Sequence, residues 1–476
     1  MPPSRIPAPA LASIALTLLA SLVPGVAAPL AAATIAVDTL ADNEAADGLC
    51  SLREAIQAAN DDLPFLGCSA GEDHDLVTLE LTGTIALTSD LPDITRNLTL
   101  AGPASGTLNL NGGDHRMLVM NGAPNGKTLR IERLTIRNGL NAAGGGCISI
   151  QRADRLELVD SRVTGCETPA AGGAIFGDNA EALTIQRSVI ENNTATQGAG
   201  GIYLIGLGIP AFAGEGDVPT ATVLIEDSTI SDNSVPAEAS GGGVAIAWAN
   251  GEIRRSTLSG NSTRATGGGL VVIYGTVRVA SSTVTLNSSD INENDGGEVG
   301  GGIYAFASEL YPSIVELHNS VIAGNIGASL ASDLKVGDNS AILSDGFNLI
   351  GVRNGADALF PLGTPNANDD WVGSRAAPVI AGLAALADNG GRTKTHAPSP
   401  GSLLVDRGEC PDALRDQRGY GDLANQRRPV NEPVVPDSAD GCDIGAFEAG
   451  AEELPFVLFV DGFASGDTSA WSSALP

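Results

Sequence analysis

Few side chains in this sequence are suited to chemistry. Histidine occurs only as His74, His115, His318 and His396, and lysine only as Lys127, Lys335 and Lys394, in a chain of 476 residues. No His/Cys spacing fits zinc, and neither a nucleophile elbow nor a phosphate-binding loop appears. Asp369 and Asp370 form a paired carboxylate in a loop and are the candidate catalytic residues, although solvated charge is the default expectation for such a pair. Asp160 and Asp227 make a second candidate pair, two repeats apart and so about 10 Å from each other if the repeats stack. Arg187 falls between them and would hold both ionised, which suits a surface ion ladder better than catalysis. The acidic stretch with Asp290, Glu293, Asp295 and Glu298 offers oxygen ligands for Ca²⁺ but lacks EF-hand spacing. No other cofactor is expected.

These residues lie in or beside a repeat that runs from Leu129 to Asn325. Ser161, Ser188, Ser228, Ser256, Ser282 and Ser320 are separated by 27, 40, 28, 26 and 38 residues. Five residues after each serine stands Cys166, Asn193, Asn233, Asn261, Asn287 or Asn325, with Gly139 in an earlier degenerate copy. A base period near 27 with two enlarged copies indicates stacked repeats. The abundance of Gly, Thr, Val, Ile and Asn selects strands and turns over helices.

Within each repeat, pairs such as Leu156/Leu158, Leu183/Ile185 and Val315/Leu317 put two apolar side chains on one strand face. A second short strand carries the Val, Ile or Leu before the Asn. Glycine pairs open a third, led by Cys147, Ala174, Ile202, Val244, Leu270 and Ile303. Three short strands per coil specify an all-β, right-handed parallel β-helix. The column Asn193, Asn233, Asn261, Asn287 and Asn325 is expected to turn a corner in the left-handed conformation and to stack as an amide ladder. That ladder accounts for the spacing of Asn193, Asn261 and Asn287 better than their glycosylation sequons do. One residue before each serine, Arg133, Asp160, Arg187, Asp227 and Arg255 alternate in sign, so each charge should lie between two opposite ones.

The apolar stretch from Ile6 to Val26 behind Arg5, with Ala31-Ala32-Ala33 as a cleavage site, reads as a signal peptide over 1–33. No later segment could span a bilayer. Net charge is −30, from 26 basic and 56 acidic residues, which disfavours nucleic acid and anionic membranes. An even number of cysteines in an exported chain implies disulfides. Proximity suggests Cys50–Cys68 and Cys410–Cys442 and leaves Cys147 with Cys166. Over 34–75, Ser51 and Glu54 form a capping box, and Leu52, Ala55, Ile56 and Ala59 form one helix face. A helix there would cover the open end of a coil stack.

The string CSLREAIQAAN over 50–60, followed by Gly67-Cys68, resembles the CSLREA motif that opens many exported bacterial β-helix proteins. Past 76–350, where the coils lie, residues 351–450 carry Val405-Asp406-Arg407-Gly408, Arg428-Pro429 and Asp443-Ile444-Gly445-Ala446-Phe447-Glu448. These are similar to the choice-of-anchor Q domain, a resemblance that implies export and contributes no catalytic residues. Arg418, Arg428, Asp443 and Glu448 are expected to be buried ion pairs of a closing cap. Within the tail, 451–476, Asp461-Gly462-Phe463-Ala464-Ser465-Gly466-Asp467 followed by Trp471-Ser472 is similar to a short ending on exported proteobacterial proteins, with Ala464 where Glu is usual.

A parallel β-helix is also the fold of polysaccharide lyases and polygalacturonases. The chain has neither their Gly-His-Gly nor an Arg-Ile-Lys, Arg130-Ile131-Glu132 being the nearest string. The expectation is a monomeric, non-catalytic surface or secreted scaffold meeting extracellular polysaccharide or a cell-surface protein. A diverged lyase or hydrolase is the alternative.

Overall fold

The computed structural model describes residues 33–121, 126–207, 219–289, 300–308, 311–328, 330–411, 413–422, 427–431 and 439–454. The expected signal peptide, most of the insertions near 206–219 and 288–299 with the proposed Ca²⁺ ligands, and most of the tail fall outside them. No helix among the described residues is long and apolar enough to cross a membrane.

Alternating apolar residues place the same side chain inward on every coil, and the coils pair in parallel. Two sheets have 11 strands each among the described residues. The first runs from Ala33–Ala36 to Ser340–Ser344, the second from Gly83–Ala86 to Trp371–Val372. In the first, Leu129, Leu156, Leu183 and Val223 occupy one register, and Ile131, Leu158, Ile185 and Ile225 the next inward one. All are at most 3% exposed, and full burial of such a side chain contributes about 1.5–3 kcal/mol.

A third sheet of eight strands runs from Leu118–Met120 to Leu334–Val336. Its register is Ile148, Ile175, Ile202, Val244, Leu270, Ile303, so Ile148 and Ile175 lead their strands instead of Cys147 and Ala174. The coils also hold a strand that the three-strand pattern missed. Two-residue strands such as Thr194–Ala195 and Ser262–Thr263 follow the ladder Asn and form a fourth, short sheet. Two residues are too few to show an alternation, so no periodicity marked them.

The left-handed corners also sit elsewhere than expected. The residue before the ladder position takes positive φ: Gly165 (66°), Asn192 (57°), Asp232 (55°), Gly260 (70°) and Gly324 (75°). A second left-handed column is the charged one, with φ of 54° at Arg133, 49° at Asp160, 47° at Arg187, 52° at Asp227 and 44° at Arg255. Side chains rarely tolerate this region, so each of these corners is held by the coils on either side.

At the amino-terminal end, the helix Leu52–Asp61 carries the capping box, with Ser51 accepting from Glu54 N and Glu54 Oε2 accepting from Ser51 N. Leu52, Ala55, Ile56 and Ala59 join Ile35 and Val77 in the solenoid core. Arg53 forms a buried 2.7 Å ion pair with Asp42 and donates to the carbonyls of Ser89 and Asp90. Asn60 receives Thr95 N and donates to Asp93 O. The polar residues of that string thus tie the helix to the first coils. At the other end, Ala356, Phe360 and Val372 close the core.

The described residues between 379 and 454 do something different from the expected end cap. They run back along the flank of the solenoid as a strap over the outer face of the second sheet. Val379, Ala381, Leu404 and Ile444 pack there on Val321, Ala323 and Leu349 as a second, smaller core. Outward threonines and serines of that sheet bind the strap. Thr229 donates to Lys394 O, Thr257 to Gln417 Oε1, and Thr283 Oγ1 accepts from Ala446 N.

Candidate functional site

The repeated geometry of the coils produces two internal ladders. Asn193 Nδ2 donates to Asn233 Oδ1, Asn233 to Asn261, Asn261 to Asn287 and Asn287 to Asn325, each at 2.9 Å. Each Oδ1 also accepts the backbone N–H of the preceding Asn. The remaining amide hydrogens reach carbonyls of Val163, Ile190, Ile230, Leu258 and Val284. Every polar atom of these buried amides is therefore paired, which satisfies the burial requirement in full. A parallel serine ladder passes each backbone N–H of Ser161, Ser188, Ser228, Ser256 and Ser282 to the next serine hydroxyl.

Three disulfides join Cys50 to Cys68, Cys147 to Cys166 and Cys410 to Cys442. The second occupies a repeating position. In later coils, Gly201, Gly243, Gly269 and Gly302 face the ladder amides so closely that an added Cβ would lie 2.9–3.2 Å from the Asn Cγ of the next coil. Cys147 stands in that glycine column and Cys166 in the Asn column. Cys166 N still donates to Asn193 Oδ1 at 3.0 Å.

Carboxylates terminate both ladders. Asp333 Oδ1 receives Asn325 N and Nδ2 at 2.9 and 2.8 Å, and its Oδ2 receives Val352 N. Burial pushes the Asp333 carboxyl up to about 7 against these three donors. Ser320 N passes to Asn348 Oδ1, and Asn348 N and Nδ2 pass to Asp370 Oδ1 at 3.0 Å. Ser344 Oγ donates to the same carboxylate. Asp370 is fully buried, and burial raises its pKa. The solvated charge expected there is found only at Asp369, exposed at φ 60°. The two neighbours face different surroundings and do not form a carboxylate pair. Asn348 keeps the period, 28 residues after Ser320, and could have been read; Asp333 and Asp370 follow breaks in it and could not.

The charged column pairs rather than forming a continuous ladder. Arg187 Nε meets Asp160 at 2.8 Å, and Arg255 Nε meets Asp227 at 2.8 Å. Arg133 turns instead to Glu132. The strap adds Arg392, whose Nε lies 3.2 Å from Asp160. Between strap and column lie two adjoining cavities of about 390 and 640 Å³ that share Asp160, Arg187 and Arg392.

Inside the strap, one of the expected ion pairs forms, Arg418 pairs with Asp416 instead, and the Asp443 carboxylate accepts from Asp406 N and Ala449 N. Arg428 and Glu448 meet at 3.1 Å with both side chains fully buried, and Arg418 meets Asp416 at 2.7 Å. Burial pushes Asp443 up to about 7 and Glu448 well above the usual carboxylate range. His396 Nε2 lies 2.8 Å from Ser259 Oγ, and its Nδ1 lies 2.7 Å from Ala384 O. Both side chains are about 2% exposed. Burial lowers the His396 pKa, so a neutral ring donates at Nδ1 and accepts the serine proton at Nε2, docking strap on sheet. Among the described residues, Cys410, Asp440 and Cys442 have metal-like spacing, but the two sulfurs are bonded to each other.

A family model described as a right handed beta helix region matches residues 116–342. Among solved structures, the crystal structure of pectate lyase Pel9A aligns over 87% of this chain and 96% of its own, at 13% identity and a TM-score of 0.38. No curated protein matches. Over its ladder-bearing coils the chain is similar to the right-handed β-helix family, and its fold is a right-handed parallel β-helix.

Proposed function

We propose that this chain is an exported, monomeric β-helix scaffold, secreted or held at the bacterial surface, that contacts extracellular glycan without turning it over. What carries this reading is the use to which its candidate carboxylates are put. Asp370 and Asp333 end the ladders, Asp160 and Asp227 are held by guanidinium groups, and Asp443 and Glu448 lie inside the strap. A general acid or base must reach the proton it moves, and groups bonded in these ways are framework. Export is supported by the three disulfides and by the resemblances of the 50–60 string and the 351–450 segment. In this reading those two regions are the entry cap and the anchor-type domain, and the tail serves sorting.

The test is incubation of the disulfide-bonded chain with acidic and neutral polysaccharides, with and without Ca²⁺. Reducing ends, unsaturated products and retention on each glycan are then measured. Retention without turnover is the expected result. Turnover lost on Asp369→Asn, which leaves the ladders intact, would make the chain a polysaccharide lyase or hydrolase. Neither turnover nor retention would move the search to protein partners.

A further inference from the structure

The two adjoining cavities differ in charge from the chain as a whole. Acidic residues outnumber basic ones 56 to 26 overall. Six arginines line the cavities, Arg133, Arg162, Arg187, Arg392, Arg415 and Arg418, against Asp160, Asp227 and Glu453. Arg133, Arg162 and Arg418 hold Glu132, Glu191 and Asp416, so the uncompensated charge lies with Arg392 and Arg415. Asp160 is shared between Arg187 and Arg392, leaving one positive charge in excess. Arg392 is 62% exposed. Arg415 reaches no carboxylate within ion-pair distance among the described residues; burial raises the Asp227 pKa, and the Arg415 charge offsets a small part of that rise. Asp160 and Asp227 pin the column arginines in place, while the strap supplies arginines more than 160 residues further along the sequence than either.

We propose that this groove is a binding site for a carboxylated polysaccharide, with Arg392 and Arg415 reaching the ligand and Arg187 and Arg162 flooring it. This deepens the glycan-contact reading and rests on it. Guanidinium groups match carboxylates in bidentate geometry. Screening within about 8 Å at physiological salt confines the repulsion of the distant acidic surface, so the local field decides. Two features favour a uronate chain over nucleic acid. No aromatic side chain lines either cavity, whereas single strands are usually held by stacking. A uronate chain also spaces its charges one per sugar ring, within reach of a few arginines, whereas duplex phosphates are packed about 1.7 Å apart and would meet the full net charge.

The measurement is titration of the full disulfide-bonded chain with polygalacturonate fragments of defined length, dextran of similar length, and single-stranded DNA. The wild type is expected to bind the polyuronate, with affinity falling as NaCl rises and unchanged by Ca²⁺. The double variant Arg392→Gln/Arg415→Gln is expected to weaken binding by about tenfold or more. Arg278→Gln, in a charge-balanced cavity further along the flank, is the control and is expected to change nothing. Equal thermal midpoints for all variants establish that the strap is still docked. Unchanged affinity in the double variant, or tighter binding of DNA, would overturn the proposal. Retention of dextran alone would remove the groove but keep the scaffold reading; turnover of polygalacturonate with the same arginine dependence would keep the groove but remove that reading.

Discussion

The solenoid and its strap are stabilised in opposite ways. In the coils, neighbours in space are about 27 residues apart in sequence, and every coil repeats the same contacts. Among described residues the strap has only two-residue strands, Tyr420–Gly421 and Glu452–Glu453. It is held by particular side chains, one disulfide and two buried ion pairs. The solenoid can lose a contact and leave its neighbours nearly unchanged, because stability there is roughly a sum of nearest-neighbour terms. The strap has no such redundancy, so single substitutions are expected to release it.

The largest effect should come from Arg428→Ala. Arg428 is fully buried on Glu448 and donates to the carbonyls of Asp443 and Gly445. Removing it strands a buried carboxylate, at a cost of about 3–5 kcal/mol. Limited proteolysis should then cut within the strap while the coils stay intact and keep their β-sheet circular dichroism. Loss of both regions together would show that the strap is part of the solenoid's folding unit.

A smaller loss, about 2–3 kcal/mol for the donors and acceptors left unpaired, is expected from Asn261→Ala in mid-ladder. Urea unfolding should lower the coil transition and leave strap protection unchanged. The disulfide sharpens the point. Cys147→Ala/Cys166→Ala should cost about 3 kcal/mol for its short loop, whereas Cys147→Gly/Cys166→Asn recreates the pairing of later coils and should recover about 1 kcal/mol of it. Equal losses in the two variants would mean that the ladder cannot extend past Asn193.

The smallest effect is pH dependence. Asp333 and Asp443 have folded pKa values of about 7, raised by burial from 3.8. The native state therefore holds more protons than the unfolded one between about pH 4 and 7, and stability falls as pH rises through that window. The thermal midpoint should be higher at pH 5.5 than at pH 8. Asp333→Asn should flatten the coil transition's dependence, while the strap transition keeps its own through Asp443 and Glu448.

The comparison also separates what could be read early from what could not. Inward pairs such as Leu156/Leu158, the serine and asparagine columns and the capping box at Ser51 and Glu54 are local or periodic, and any feature repeated on every coil announces itself by its spacing. The left-handed residue stands one position before the ladder and not on it, because Asn and Gly tolerate that conformation and occur at both positions. Asp370 showed its type but not its burial. The groove could not be found at all, since Asp160 meets Arg392 only after the chain doubles back.

Sequence alone therefore determined the coil and its ladders, because the forces that build them act between residues in register and recur at a fixed period. Tertiary structure decided the path of the strap, the ends of the ladders and the arginine groove. Those rest on single, non-repeating contacts, and one such contact leaves no pattern in the sequence.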